Sequence, residues 1–534
     1  MSVRAMENWG SITVLENILL KNDFEMFDKF FRDCRTICHE ISHMWFGNLV
    51  TMDWWTDLWL NEGFARFMEF KCLEVIRPQY NPWSNFVSQV LYIALTIDTP
   101  ISKSHPVEIV CINPDNIGSY FDNISYLKGA SILRMMENLM GPDFTKGVKS
   151  YLTNHKYKSV TSEIFFDTMQ SFTPLQIKSI IRTWTQQAGF PLITVTREAY
   201  GLFRVSQKPF DKTQEATWIV PIQYLTETGE TGLFILDKQE DIIEAPGSWI
   251  KLNYKSVGFY RVLYTNYEEL FENVRILTAE DRYGLLHDSL TLFKSLKTNF
   301  EYHSKLLTSL SPEPSYIILD LIQSLPNKSE TIKERQLYEQ VLKESSLALW
   351  DKYQMEVPEN DPEFPLIQKL FLHVLIFELA DERVLRQITE SHPNSEFYEE
   401  CLLTLFGVEE SSIVKNLESL HNILSYSKKM KAVKVVMRKN FELYAASPQE
   451  SKKYVKWAYN RTPETELLQI IYDHISESDN ELVIQALTQI LLIIGPGDCL
   501  EQSESLVLSF KKAYEHIKTF ENLQDVASIF EVMH

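Results

Sequence analysis

The sequence predicts a multidomain, mainly α-helical protein with one small β-rich domain in its middle. Its 534 residues suggest about three domains of ordinary size. Apolar residues recur at helical spacing along most of the chain, but they alternate with polar residues between about 192 and 264. We therefore predict a first, mainly helical domain over residues 1–190, a β-sandwich over 191–265 and an α-helical superhelical domain over 266–534.

The first predicted domain begins with a short extended segment that ends at Gly10, and a strand should follow around residues 11–15. The helices with the clearest periodicity cover Phe24–Trp45, Thr56–Ile76 and Ile124–Leu139. Gly47 and Pro78 stand just past the first two, where a helix must end. The order of elements is therefore a strand followed by helices.

The middle and last domains differ in their hydrophobic period. Three runs alternate and are separated by turn residues, namely ITVTREAYGLFRVSQKPF, TWIVPIQYLTETGETGLFIL and WIKLNYKSVGFYRVLY. This pattern is typical of a small antiparallel sandwich. After Thr265, amphipathic segments of helix length follow one another with short polar breaks, which predicts a C-terminal α-helical solenoid. Such a solenoid could cover an active site or serve as an interaction scaffold.

The composition excludes some classes of partner. The formal net charge is −20, which disfavours nucleic acid and anionic membranes and weakly favours cationic ligands such as peptide amino termini. A solvated protein surface would explain the same surplus of acidic residues. The six cysteines include no C-x-x-C pair, which favours free thiols in a reducing compartment. Because the chain has no signal-peptide pattern and no apolar run of about 18 residues, we predict a cytoplasmic protein without a transmembrane segment. The oligomeric state is not predicted.

The segment from His39 to Glu62 carries the most informative pattern. His39 and His43 stand four apart, so a helix presents both imidazoles on one face. Glu62 is separated from His43 by eighteen residues and would be the third ligand of a tetrahedral zinc ion with one open position. A surface pair of histidines is the alternative, but nearby aromatic residues such as Trp45 and Trp59 favour the metal site. We predict one Zn²⁺ per chain.

Three further side chains suit peptide-bond hydrolysis at such a metal. Glu40 lies beside His39 and could activate a zinc-bound water and pass its proton to the leaving nitrogen. Glu7, in an extended segment, could hold a substrate ammonium group, although a lone Glu is more often a solvated surface charge. Tyr126 could donate a hydrogen bond to a developing oxyanion, although a Tyr on an apolar helix usually packs in the core.

Together these motifs resemble the gluzincin zinc aminopeptidases of the puromycin-sensitive and alanyl aminopeptidase type. The matching segments run collinearly over roughly the first 265 residues and are AMENWG, HEISHMWFGNLVTMDWWTDLWLNEGFA, ISYLKGASILRM, WTQQAGFPLITV and WIKLNYKSVGFYRVLY. The resemblance implies a thermolysin-like catalytic domain and a zinc exopeptidase that acts on peptides with a free amino terminus. The implied roles are catalysis by Glu40 and Tyr126, substrate binding by Ala5, Met6, Glu7 and Asn8, and zinc ligation by His39, His43 and Glu62.

Two departures from the family pattern leave alternatives open. Arg4 stands where the family usually has Gly, which adds bulk and positive charge beside the ammonium subsite and predicts altered specificity or weaker binding. The family also carries a large β-domain before this motif, so we expect an N-terminally truncated form whose catalytic domain is partial. A catalytically impaired homologue that acts as a peptide- or protein-binding module is therefore an alternative. A zinc endopeptidase is a second and weaker alternative.

Overall fold

A computed structural model describes residues 4–19, 27–111, 114–326, 331–354, 364–375 and 383–384. The chain divides into two compact units, Met1–Leu372 and His373–His534. Nearly all of the described residues belong to the first unit. The predicted solenoid therefore lies largely outside the described residues, and the bounds of the three predicted domains stay predictions.

The described part of the chain is mainly helical with small sheets, as the sequence predicts. The helices are α1 Glu16–Leu19, α2 Phe27–His43, α3 Trp59–Ile76, α4 Pro82–Phe86, α5 Tyr92–Ile97, α6 Gly129–Met140, α7 Pro142–Asn154, α8 Ser162–Gln170, α9 Ile177–Thr185, α10 Glu268–Glu272, α11 Ala279–Lys294, α12 Phe300–Leu310, α13 Tyr316–Gln323, α14 Ile332–Tyr353 and α15 Phe364–His373. The strands are β1 Ala5–Met6, β2 Thr13–Val14, β3 Val50–Met52, β4 Lys158–Val160, β5 Pro191–Ala199, β6 Leu202–Pro209, β7 Val220–Thr226, β8 Thr231–Leu236, β9 Glu240–Glu244, β10 Ile250–Leu252 and β11 Arg261–Tyr264.

Helix α3 is the centre of the first helical region. It packs against both α2 and α6. Phe64, Phe67 and Phe70 are almost completely buried on it. Because α3 has neighbours on several sides, its sequence shows little amphipathic contrast, as expected for a core helix. The helices that surround it are held in place by this aromatic core.

The start of the chain forms a small hairpin rather than one isolated strand. Strand β1 pairs antiparallel with β2, with Ala5 opposite Val14 and Met6 opposite Thr13. The sequence predicted the second of these strands and left the first as an extended or loop segment. Gly10 lies in the connection with a φ of +73°, a conformation that Gly adopts without strain.

The middle region contains two sheets, with strand orders β11-β5-β6-β9 and β10-β7-β8. The alternation in β5 follows the sequence, since Ile193 and Val195 are buried while the intervening side chains are partly exposed. The prediction of a purely antiparallel arrangement is wrong, because β11 pairs parallel with β5. Between β5 and β11 the chain forms the other strands of both sheets. Strand β11 then lies beside β5 and runs in the same direction. Face-to-face packing of the two sheets as a sandwich stays a prediction.

Helices follow one another after residue 265, in line with the sequence. The polar breaks between them cap several helices, because the side chains of Thr278, Asn299 and Thr331 accept hydrogen bonds from backbone amides at the starts of α11, α12 and α14. Among the described residues, no helix is both long and apolar enough to cross a membrane.

Candidate metal and catalytic site

Helices α2 and α3 bring the three predicted ligands together. The Nε2 atoms of His39 and His43 lie 3.0 Å apart. The Oε2 atom of Glu62 lies 3.3 Å from the Nε2 of His39 and 3.4 Å from that of His43. All three side chains are buried. The His-x-x-x-His spacing on α2 and the position of Glu62 in the first turn of α3 produce this convergence.

Hydrogen bonds on the far side of each imidazole fix which nitrogen points inward. The Nδ1 of His43 lies 2.9 Å from the carbonyl oxygen of Phe46, and a carbonyl can only accept. Nδ1 therefore carries the hydrogen, and Nε2 offers its lone pair to the cavity. Gly47, which follows Phe46, has a φ of +126°, and a Cβ there would lie 3.3 Å from the Nδ1 of His43. The backbone turn that holds His43 thus requires glycine.

Glu69 orients the ring of His39, as the Phe46 carbonyl orients that of His43. The sequence did not single out this glutamate. Its Oε1 lies 2.8 Å from the Nδ1 of His39. Arg35 and Arg66 both pair with this carboxylate, at 2.9 and 2.8 Å. Burial alone would raise the pKa of Glu69, but the two guanidinium groups hold it at about 2. The ionised carboxylate therefore accepts the Nδ1 hydrogen of His39. Glu69 lies seven residues after Glu62, so both face α2 from the same side of α3.

The site fits a bound cation. Burial alone would lower the pKa of His39, but its hydrogen bonds to Glu62 and Glu69 raise it to about 9. For Glu62, the two histidines outweigh the effect of burial and lower the pKa. The pocket thus favours positive charge. The charge would lie between two imidazole Nε2 atoms and one carboxylate oxygen, which are within 3.4 Å of one another. Two imidazoles and a carboxylate with hydrogen-bonded outer partners are a donor set suited to zinc.

Glu40 lies next to this centre without belonging to it. The side chain is buried, and its Oε2 atom has no hydrogen-bond partner within the described residues. Burial is the largest effect on Glu40 and raises the pKa of its carboxyl group. A carboxylate with one unpartnered oxygen and a raised pKa is suited to accept and return a proton.

Tyr126 approaches the centre from a third element. Its ring stacks on that of His39, with centroids 5.9 Å apart and an angle of 9° between the planes. Burial, followed by the nearby Glu62 carboxylate, raises the pKa of Tyr126, so the phenol keeps its hydrogen. A protonated phenol beside the metal ligands is a hydrogen-bond donor for charge that develops on an oxygen there.

Two glycines allow Tyr126 to come this close. Residues Ile124–Lys128 form a π-helical turn that continues into α6, and this turn crosses α3 at Gly63 and Gly129. A Cβ on Gly63 would lie 3.2 Å from the backbone of Gly129 and from the carbonyl oxygen of Ser125. The sequence predicted an ordinary helix for this segment. Single-turn π segments of this kind are frequent at functional sites.

The hairpin lines the same cavity. Ala5, Met6 and Glu7 all face it. The carbonyl oxygen of Glu7 accepts a hydrogen bond from Asn48, which follows the C-terminal end of α2. Asn8, the fourth residue that the family resemblance assigned to substrate, is exposed, and its amide lies 3.3 Å from the Thr13 hydroxyl across the hairpin. It lies outside the cavity lining.

Arg4 lies at the other end of this segment. Its guanidinium pairs with the carboxylate of Asp33 on α2 at 2.9 Å. Asp33 is ten residues before His43, whereas Asn48 holds Glu7 just past His43. The hairpin segment therefore runs along α2, and both Arg4 and Glu7 line the cavity. The expected effect of Arg4 on the ammonium subsite stays a prediction.

All of the predicted site residues except Asn8 line one cavity of about 690 Å³. Its lining includes the three metal-ligand candidates together with Glu40, Tyr126 and Glu7. This arrangement of two histidines on one helix, a glutamate on the next and an adjacent unpartnered carboxylate oxygen matches the pattern of a metallopeptidase site.

Comparison with known proteins agrees with this class. Residues 1–184 match the Peptidase family M1 domain. The chain is 34% identical over 343 residues to the mitochondrial Aminopeptidase 2 of Saccharomyces cerevisiae, covering 62% of this chain and 36% of the relative. It is 32% identical over 371 residues to the Alanine/arginine aminopeptidase of the same yeast, covering 67% and 42%. It is also 32% identical over 340 residues to the Puromycin-sensitive aminopeptidase of Caenorhabditis elegans, covering 59% and 36%.

The chain therefore carries a domain of peptidase family M1 over residues 1–184, and it is similar to these aminopeptidases over 59–67% of its length. It spans less than half the length of these relatives.

Proposed function

We propose that the chain is a zinc aminopeptidase that removes the amino-terminal residue from peptides. The observation that carries this proposal is the convergence of three ligand atoms in a cleft that also contains the unpartnered carboxylate oxygen of Glu40. The names of the relatives support the same activity. The cytoplasmic location of the chain remains a prediction from the sequence.

His39, His43 and Glu62 would hold the zinc ion, with Glu69 and the Phe46 carbonyl orienting the imidazoles. Zinc would supply a Lewis acid that polarises the substrate carbonyl and lowers the pKa of the attacking water. These assignments give the chain one metal ion, since the described residues contain one such cluster.

The other cavity residues would divide the remaining work. Glu40 takes a proton from the attacking water and returns it to the leaving nitrogen, a role that requires an oxygen free of other partners. Tyr126 donates a hydrogen bond to the oxygen on which charge develops. Glu7 holds the substrate ammonium group by a charge-assisted hydrogen bond, while the backbone of Ala5 and Met6 lies beside the peptide.

The proposal is tested by measuring zinc content and aminoacyl-naphthylamide hydrolysis on the whole chain and on Glu40→Gln. We expect about one zinc per chain in both proteins, and turnover lower by about three orders of magnitude in the variant. The matched control is Glu74→Gln, because Glu74 lies on α3 outside the cavity lining and is 43% exposed. Unchanged turnover in Glu40→Gln, or a zinc-loaded chain that cleaves no aminoacyl substrate, would contradict the proposal.

A further inference from the structure

One end of the cavity is cationic, although the chain as a whole carries a formal charge of −20. Four arginines line the cavity, and two of them, Arg35 and Arg66, are committed to Glu69. The other two are Arg4 and Arg32. These two residues define the cationic end of the cavity, and neither takes part in the proposed chemistry.

The two arginines present their charge outward. The Arg4 side chain is 54% exposed, whereas its partner Asp33 is only 3% exposed beneath it. Arg32 is exposed, and within the described residues its guanidinium has no ion-pair partner. Within the described residues, Asp33 pairs with Arg4, and Arg32 adds a second positive charge at this end. The surplus of positive charge there is available to an anionic ligand.

The position of this end relative to the metal ligands follows from α2. Arg32, Thr36, His39 and His43 occupy one face of the helix, and all four line the cavity. Arg32 precedes His39 by two turns, which at about 1.5 Å per residue places it about 10 Å along the helix axis. An extended peptide advances about 3.4 Å per residue, so this distance corresponds to about three residues.

The direction of the peptide follows from Glu7 and rests on the function proposed above. Glu7 lies at the His43 end of α2, where Asn48 donates to its carbonyl oxygen. A substrate whose ammonium group lies at Glu7 and whose first peptide bond lies at the metal ligands continues toward Arg32. The cationic end therefore faces the residues that follow the cleaved bond.

We infer that Arg4 and Arg32 bind a substrate carboxylate two or three residues beyond the cleaved bond. The carboxylate can be an acidic side chain at that position or the free carboxyl terminus of a short peptide. Either source fits the chemistry, because guanidinium groups bind carboxylates in a planar, directional way. The substrate class that this favours is short or acidic peptides.

Binding is measured by calorimetry on the Glu40→Gln chain, so that substrate is not consumed. The first peptide pair, Ala-Ala-Glu-Ala amide and Ala-Ala-Gln-Ala amide, differs in one side-chain charge. The second pair, Ala-Ala-Ala-Glu amide and Ala-Ala-Ala-Gln amide, moves that charge one residue onward. The third pair, tri-alanine as free acid and as amide, isolates the terminal carboxylate. We expect the carboxylate member of at least one pair to bind about five- to tenfold more tightly. The ratio of the two affinities within that pair should shrink as the salt concentration rises from about 50 mM to about 0.5 M.

Substitutions identify the residues responsible. Arg32→Gln should bring the ratio close to one, and Arg32→Lys should retain part of it. Arg4→Gln should also lower the ratio, because it leaves the Asp33 carboxylate uncompensated at the same end. Arg77→Gln is the matched control, since Arg77 is exposed on the same domain and lies outside the cavity lining.

The outcomes separate this inference from the proposed function. Equal affinity within all three pairs, or a preference that persists in Arg32→Gln and Arg4→Gln, would overturn the inference even if the wild-type chain hydrolyses peptides. A carboxylate preference that both variants abolish would support it even if the wild-type chain hydrolyses nothing, which would overturn the proposed function instead.

Discussion

Glu69→Gln is the most informative single substitution outside the ligand set. The wild-type carboxylate accepts hydrogen bonds from three donors, namely the Nδ1 of His39 and the guanidinium groups of Arg35 and Arg66. Glutamine has nearly the same shape but replaces one oxygen with an NH₂ group, which cannot accept. In either orientation of the amide, at least one donor then faces another donor.

The magnitude follows from those contacts. Glu69 is 1% exposed, so water does not readily replace the lost acceptor. Leaving one buried donor without a partner costs about 1–3 kcal/mol. If the donor without a partner is the Nδ1 of His39, this cost destabilises the ring orientation that binds the metal. Zinc affinity should then fall by about 10- to 100-fold, the usual effect of removing a partner of a metal-bound histidine.

The assay is competition for zinc with a chromophoric chelator, with circular dichroism to verify that the variant is folded. Glu74→Gln, on the same helix but 43% exposed, controls for the loss of a carboxylate as such and should leave the zinc affinity unchanged. A zinc affinity for Glu69→Gln within about twofold of wild type would refute the view that Glu69 orients His39 for metal binding.

Three other residues give independent predictions. Tyr126→Phe should lower kcat by about 10²- to 10³-fold with little change in KM, because the phenol acts only on charge that develops during the reaction; equal losses in kcat and in substrate affinity would argue against this. Gly63→Ala should push the turn that carries Tyr126 away from α3, because the new Cβ would lie 3.2 Å from backbone atoms; it should lower kcat while zinc stoichiometry stays at one, and unchanged kinetics would contradict the assignment. His303 is completely buried between Ser289 and Tyr338, and burial, with a smaller effect from Lys294, lowers its pKa to about 4. Because the unfolded chain takes up this proton below about pH 6.5, the free energy of unfolding should fall by about 3 kcal/mol as pH drops from about 6.5 to about 4, and denaturant titrations should show a flatter profile for His303→Gln.

The helices that carry the metal site follow from local sequence patterns. Apolar spacing predicted α2 and α3, and the structure begins α3 at Trp59 where the sequence suggested Thr56. A short 3₁₀ turn, Trp55–Asp57, precedes α3, and its local spacing resembles that of a helix start. The convergence of His39, His43 and Glu62 was predictable because two of them share one helix face and the third opens the next helix.

Other features depend on contacts between distant segments. Glu69 looks like any glutamate on a helix until Arg35 and His39 are seen to surround it. The parallel pairing of β11 with β5 depends on a long crossover that alternation cannot reveal. The π-helical turn at Tyr126 follows from the close crossing at Gly63, which is a tertiary contact. Local periodicity contains no information about any of these.

The most direct test of aminopeptidase activity compares one peptide with a free amino terminus and the same peptide acetylated at its amino terminus, with products identified by mass spectrometry. The role proposed for Glu7 predicts that only the free peptide is cleaved and that it loses a single residue, with KM raised in Glu7→Gln. Cleavage of the acetylated peptide at the same rate, or cleavage at an internal bond, would contradict the account.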